Sequence, residues 1–319
     1  MIRLFRDAEG GPLCPDGSVV CIGAFDGLHL GHRALVRHAV ERACALGLPA
    51  VALSFEPLPR EFFAAGTPPP RLNLPRAKFE GLCELGIELV GLLRFNAALA
   101  SMSPEAFVAQ VLVGRLSARE VHVGPEFRFG HRRSGDLATL QCEGATHGFV
   151  ADAIAPVLLD GERVSSTRIR AALQTGDFDN AARLLGKPYA ISGCVVHGKA
   201  LGRTLGYPTA NLRFGNKTPA LRGIYATRVR GVDGDATRAW PSVASFGTRP
   251  TVGGVEPLLE AHLFDFDGDL YGQRIEVEFV ARLRDEETFP DLPTLVAQMD
   301  RDAQQARRLL QQSPERAIA

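Results

Sequence analysis

The apolar periodicity of this chain changes once, near Gly186, and no single sheet architecture accommodates both sides of the change. Before it, short apolar runs alternate with segments of helical spacing; after it, the spacing is two and helical patterning returns only at the end. Alternating strands and helices imply a parallel sheet covered on both faces. Period-two strands joined by Gly and Pro turns imply an antiparallel barrel or sandwich, with one face of each strand inward. The expected fold class is therefore α/β followed by all-β. With 319 residues the chain is long enough for two cores, and the expected domains are residues 1–185 and 186–319.

In the first part, strands are predicted at Ser18–Ile22, Ala50–Phe55, Glu88–Leu93, Glu120–Gly124 and Gly148–Ile154. Leu35, Val36, Ala39, Val40 and Ala43 give one helix its buried stripe, and Phe79, Leu82 and Cys83 give another. Ser103-Pro104 reads as a cap followed by proline at the first helical position, with Phe107, Val108, Val111 and Leu112 as the buried face. In the second part Ile224, Ala226 and Arg228 share a face, as do Ile275, Val277, Phe279, Ala281 and Leu283, with Glu276, Glu278 and Arg282 opposite. A closing helix from about Leu292 to Leu310 is expected to pack on the barrel through Leu295, Val296 and Met299.

The first predicted strand runs into Gly23-Ala24-Phe25-Asp26-Gly27-Leu28-His29-Leu30-Gly31-His32, and a helix follows. Free amides at a helix start attract anions, and glycines let a phosphate approach. His29 and His32 lie on one face of the first turn. Three readings stay open for them: surface or capping histidines, a metal pair, or imidazoles stabilising charge on a phosphate as pyrophosphate leaves. Ligands of parallel sheets bind beyond the carboxyl ends of the strands, where the loop Val123-Gly124-Pro125-Glu126-Phe127-Arg128-Phe129-Gly130 also falls. Val164-Ser165-Ser166-Thr167-Arg168-Ile169-Arg170 supplies hydroxyls and two arginines that suit either a helix cap or a triphosphate.

The second part carries Gly198-Lys199-Ala200-Leu201-Gly202-Arg203-Thr204-Leu205-Gly206-Tyr207-Pro208-Thr209-Ala210-Asn211. It is not a Walker loop, yet glycine-loop amides with Lys199 or Arg203 can wrap phosphates. Thr209 and Asn211 can turn oxygens toward a hard cation such as Mg2+. Alternation puts Glu260 opposite Leu259, Ala261 and Leu263, either as a solvent-facing residue or as a base for a substrate hydroxyl attacking a γ-phosphate.

Lysine plus arginine and aspartate plus glutamate both number 36. No whole-molecule field steers such a chain to nucleic acid or membrane. No stretch has the length of a membrane span and the N-terminus lacks a signal-peptide core, so a cytoplasmic protein is expected. The six cysteines read as reduced core residues.

Taken in order, these segments, with Gly247-Thr248-Arg249-Pro250-Thr251 and Glu260-Ala261-His262-Leu263-Phe264-Asp265-Phe266, resemble the prokaryotic bifunctional riboflavin kinase/FMN adenylyltransferases, the FAD synthetases. The resemblance implies a Rossmann-like nucleotidyltransferase domain that joins FMN and ATP into FAD and pyrophosphate. It also implies a β-barrel kinase domain, closed by a C-terminal helix, that phosphorylates riboflavin from ATP with Mg2+. By the same resemblance His29 and His32 stabilise adenylyl transfer, and Gly23, Phe25, Asp26, Gly31, Ser165, Ser166, Thr167 and Arg168 hold the nucleotide. Glu126, Phe127 and Arg128 face FMN. In the kinase, Gly198, Lys199, Gly202, Arg203, Gly206 and Thr209 hold ATP, Thr209 and Asn211 the metal, Glu260 is the base, and Gly247, Thr248, Arg249, Pro250 and Arg284 face the flavin. Two positions depart from the family pattern: Glu126 replaces Asp or Asn, and Pro57-Leu58-Pro59 replaces Pro-His-Pro. Both fall on the adenylylation side, which leaves a riboflavin kinase with a weakened or regulatory first domain as the alternative. Oligomeric state is not legible in the sequence.

Overall fold

The computed structural model describes residues 3–198, 201–215, 217–251 and 254–313. Its contacts divide the chain into two compact units, residues 1–69 with 75–165, and residues 70–74 with 166–319.

The first unit is a six-stranded sheet in the order β1-β4-β3-β2-β5-β6, parallel throughout. Its strands are β1 (Arg3–Phe5), β2 (Ser18–Ile22), β3 (Ala50–Glu56), β4 (Leu89–Arg94), β5 (Ala118–Val123) and β6 (Val150–Ala153). All five residues of β2 are buried, as a strand covered on both faces requires. One face packs under α1 (Leu30–Leu46), whose Leu35, Val36, Ala39 and Ala43 are buried as the spacing predicts. Short α2 (Pro59–Phe62) precedes α3 (Pro75–Glu84). The other face buries Phe107, at the end of α5 (Pro104–Phe107), and Val108, Val111 and Leu112 just after it; α4 (Ala97–Ser101) precedes them. Ser103 caps α5 by accepting from the Ala106 amide, but from Val108 to Arg115 the helix widens to π geometry, an insertion that 3.6 periodicity does not reveal. Helix α6 (Leu137–His147) leads to β6, and the hairpin β7 (Leu158–Leu159) and β8 (Glu162–Arg163) ends the unit. Strand β1, three residues long at the sheet edge, is too short to carry a periodic signal.

The main part of the second unit begins with α7 (Ser166–Thr175) and α8 (Phe178–Leu185), and Phe178 stacks on Phe279 of the barrel at 6.2 Å. Six antiparallel strands close in the order β10-β13-β12-β11-β14-β9. They are β9 (Ala190–Val196), β10 (Ala210–Arg213), β11 (Gly223–Arg230), β12 (Trp240–Thr251), β13 (Gly254–Leu263) and β14 (Arg274–Arg284), with short α9 (Leu201–Thr204) between the first two. Helix α10 (Leu292–Gln312) lies against the barrel.

Several expectations need correction. Alternation fails in β11, where register shifts interrupt the pairing with β14, and every residue from Tyr225 to Arg230 is buried because α10 covers one face and the barrel interior takes the other. Glu278, expected to face outward, is 6% exposed between Arg228 and Arg230. Burial raises its carboxyl above the ordinary range, while the two arginines pull it down. Arg228 also donates to the Leu310 carbonyl at 3.3 Å, satisfying a helix end that has no intrahelical donor. The buried residues of α10 are Asp302, Ala303, Ala306 and Leu310 rather than Leu295, Val296 and Met299. All six cysteines are free, yet only Cys14 and Cys21 are buried, and burial pushes the Cys21 thiol up to about 12.

Candidate functional sites in two units

In the first unit the glycine–histidine turn joins β2 to α1 at the carboxyl edge of the sheet. His29 is the N-cap of α1: its Nδ1 accepts from the His32 amide at 3.3 Å, which leaves its ring proton on Nε2. The two rings stack with centroids 3.7 Å apart, and Phe25 packs edge-on to His32 at 5.4 Å. A side chain at Gly31 would crowd the His29 ring at 3.3 Å, and one at Gly23 would meet Phe25 at 3.0 Å. Phe25 and Leu28 are held at positive φ, 48° and 46°. Such strain in apolar residues is retained where surrounding structure fixes it, commonly at functional sites. Asp26 is buried and pairs with Arg60.

Basic groups gather at this turn. Burial lowers the His32 pKa well below the imidazole range, and His29, Lys78, Arg60 and Arg163 push it in the same direction. Its Nδ1 is buried without a hydrogen-bond partner among the described residues. Lys78 is itself fully buried, its Nζ 3.2 Å from Ser54 Oγ. A neutral, donating imidazole among cations suits an anionic ligand. Lys78, Arg60 and Arg163 belong to none of the motifs singled out in the sequence.

In the loop after β5, Glu126 pairs with Arg163, Arg128 Nη1 donates to Asp136 at 3.2 Å, and Phe127 stacks on Phe129 at 5.4 Å. Leu58, the other departure from the family pattern, is fully buried. The carboxyl ends of β3 and β4 carry a cluster that sequence reading missed. Phe62 and Phe63, 40% and 64% exposed, pack edge-on to Phe95 at 5.4 and 5.7 Å. Ser165 ends this unit, whereas Ser166, Thr167 and Arg168 form the first turn of α7 in the other. Arg170, offered by the sequence as a phosphate partner, is buried and donates to the Pro70 carbonyl at 2.7 Å.

In the second unit a cavity of ≈ 720 Å³ opens against the outer wall of the barrel. It is lined by Gly202, Thr209, Asn211, Gly247, Glu260 and Arg284, six predicted site residues from distant stretches of sequence. Register explains their meeting. Asn211 on β10 and Ser245 on β12 both pair with Glu260 on β13, so the three side chains lie in one row. Leu259 and Ala261 are fully buried beside them, as alternation predicts. Asn211 Oδ1 is buried and has no hydrogen-bond partner among the described residues, while its Nδ2 donates to the Thr209 carbonyl at 3.0 Å. A Cβ at Gly198 would lie 2.7 Å from Asn211 Oδ1, and one at Gly202 would strike the Tyr207 carbonyl, so the glycines let backbone close over this turn. Gly206 sits at φ 82°.

Arg203 and Gly206 do not line the cavity. Lys199 lies outside the described residues, and for Thr248, Arg249 and Pro250 only the backbone is described, as part of β12. The rest of the wall includes residues not expected at the site: Tyr207, Ile224, Ser245, the 286–291 segment, and Leu292, Leu295, Met299 and Asp302 of α10. Burial and the neighbouring Asp300 raise the Tyr207 hydroxyl to about 12.

Comparison with known proteins gives two family matches in chain order. The FAD synthetase family matches residues 12–168 and the riboflavin kinase family residues 185–310. A Haemophilus influenzae protein named bifunctional riboflavin kinase/FMN adenylyltransferase is 39% identical over 96% of this chain and 98% of its own. Proteins of the same name from Pseudomonas fluorescens and Escherichia coli K12 are 44% and 41% identical, over 94% and 92% of this chain and 95% and 92% of theirs. A solved Streptococcus pneumoniae structure titled macrolide-efflux protein superposes with TM-score 0.74 at 30% identity, over 95% of this chain and 98% of that one. Among the described residues no helix is long and apolar enough to cross a membrane. With relatives this similar along nearly its whole length and both family matches in order, the chain belongs to the bifunctional riboflavin kinase/FMN adenylyltransferase family.

Proposed function

We propose that this chain phosphorylates riboflavin to FMN with ATP and then joins FMN to a second ATP, giving FAD and pyrophosphate. Phosphorylation is assigned to residues 186–319 and adenylylation to residues 1–185, a division supported by where the two family matches end and begin. The observation that carries the kinase step is the row Asn211–Glu260–Ser245 on the cavity wall. Glu260 takes the proton from the flavin's terminal hydroxyl as that oxygen attacks the γ-phosphate of ATP, and ADP leaves. Asn211 Oδ1, a buried hard oxygen with no donor among the described residues, and Thr209 beside it fit Mg2+. The ion, when bound, neutralises phosphate charge. Gly198, Lys199, Gly202, Arg203 and Gly206 bring backbone and charge to the nucleotide, and Gly247, Thr248, Arg249, Pro250 and Arg284 face the flavin.

In adenylylation the FMN phosphate attacks the α-phosphate of ATP and pyrophosphate leaves. His29 and His32 donate toward the developing charge. Gly23, Phe25, Asp26, Gly31, Ser165, Ser166, Thr167 and Arg168 hold the nucleotide. Glu126, Phe127 and Arg128, together with the exposed aromatic surface of Phe62, Phe63 and Phe95, face FMN. Support for an intact rather than weakened first site comes from the stack of His29 on His32, the cations around it, and the burial of Leu58. A cytoplasmic setting with small-molecule substrates alone completes the reading.

The test is a paired assay with products resolved by chromatography: riboflavin plus ATP and Mg2+, then FMN plus ATP and Mg2+. FMN from the first and FAD from the second are expected. Glu260→Gln is expected to lose roughly 100-fold or more of FMN formation, with FAD synthesis from supplied FMN unchanged; equal loss of both refutes separate sites. Normal FMN formation with no FAD establishes the kinase-only alternative.

A further inference from the structure

Arg284, at the end of β14, borders the cavity and is held by several hydrogen bonds. Its Nε lies 3.0 and 3.1 Å from the two carboxylate oxygens of Asp302 and its Nη2 2.8 Å from Oδ2, a two-pronged fork. Asp302 is 4% exposed and accepts a further bond, 2.8 Å from Gln298 Nε2 one helical turn earlier. Arg284 Nη1 donates to the Asp285 carbonyl at 2.8 Å, and the guanidinium sits 5.6 Å from the Phe289 ring. A guanidinium has five N–H donors. Three are engaged in these bonds, which leaves two on a group whose plane is fixed and which borders the cavity.

We propose that Asp302 of α10 is a positioning residue of the kinase step: by forking Arg284 it aims that side chain's remaining N–H donors into the cavity toward the neutral polar edge of the flavin. Resting on the kinase reading above, the proposal adds a residue that the sequence motifs do not contain. Its chemistry follows from charge. Paired with a carboxylate, Arg284 offers directed donors without net positive charge, which suits carbonyl and hydroxyl acceptors of an uncharged substrate better than a phosphate. Freed from Asp302, the long side chain samples many rotamers and the donors lose their direction.

The full chain, Asp302→Asn, Arg284→Ala and the double variant are compared in steady-state riboflavin phosphorylation, with emission of Trp240, the single tryptophan and a barrel residue, as the measure of folding. Asp302→Asn is expected to raise KM for riboflavin roughly tenfold with kcat nearly unchanged, the signature of lost uniform binding. The double variant is expected to behave like Arg284→Ala alone, since Asp302 acts through that arginine. An unchanged KM in a folded Asp302→Asn, a loss confined to kcat, or additive effects in the double variant overturns the proposal while leaving the kinase reading intact. A wild-type chain that makes no FMN overturns both. Should Asp302→Asn lose the native Trp240 emission, Gln298→Leu removes one donor to the same carboxylate, and a roughly threefold rise in KM is expected there; an unchanged KM overturns the proposal.

Discussion

His29 does two jobs that a single substitution confuses. As N-cap it satisfies the His32 amide, worth about 1 kcal/mol of helix stability, and as imidazole it is assigned to the transition state. His29→Ala removes both and is expected to lower FAD formation from FMN on the order of 100-fold. His29→Asn retains a capping oxygen, so stability is expected to return while FAD formation stays low; recovery of activity in that variant sinks the chemical role. The partner residue gives a pH signature. His32 titrates well below 6.5 in the folded chain, through burial first and then the charges of His29, Lys78, Arg60 and Arg163. The unfolded chain therefore takes up the proton first on acidification. Stability is full above about pH 6.5 and declines as pH falls from there toward the folded value. Urea midpoints followed by far-ultraviolet circular dichroism are expected to drop between pH 7.5 and 5.5, and His32→Gln is expected to flatten that slope.

At the scale of elements, what was legible was whatever repeats. The stripe of α1, the buried strand β2 and the alternation around Glu260 were all readable, because each follows from one period along one element. The π segment at Val108–Arg115 and the broken alternation of β11 were not: the first departs from the 3.6 period itself, and the second has register shifts and a face covered by α10. The seam of α10 shows the same limit. Leu295 and Met299 look like the contact face by size, yet they border the cavity, while Ala303 and Ala306 approach the barrel because only small side chains permit it. Ala306, with no exposure, leaves no room for a larger group. Ala306→Leu is expected to destabilise the barrel by about 1–3 kcal/mol, read as an earlier melt of Trp240 emission, and the exposed Ala297→Leu is expected to leave it unchanged.

The molecule as a whole has two compact units, each with its own candidate site. FMN is the product of one assigned step and the substrate of the other, so its release to solvent is tested by mixing chains that each lack one step. Glu260→Gln and His29→Ala chains, each unable to convert riboflavin to FAD alone, are expected to do so when mixed, with FMN passing through solution. A mixture that makes FMN but no FAD rules out exchange of the intermediate between chains.

The sequence alone determined the two architectures, the order of the motifs and most of the side chains assigned to chemistry, because periodicity and motif spacing are local properties of a chain. It also carried the family resemblance that the comparisons show. Tertiary structure decided which of those side chains share a space. Register across three strands put Asn211, Glu260 and Ser245 in one row, burial neutralised His32 and fixed Lys78 near Ser54, and α10 brought Asp302 to Arg284. None of these is written in any one segment, since the field and the donors at a site are sums over elements that only folding brings within a few ångströms.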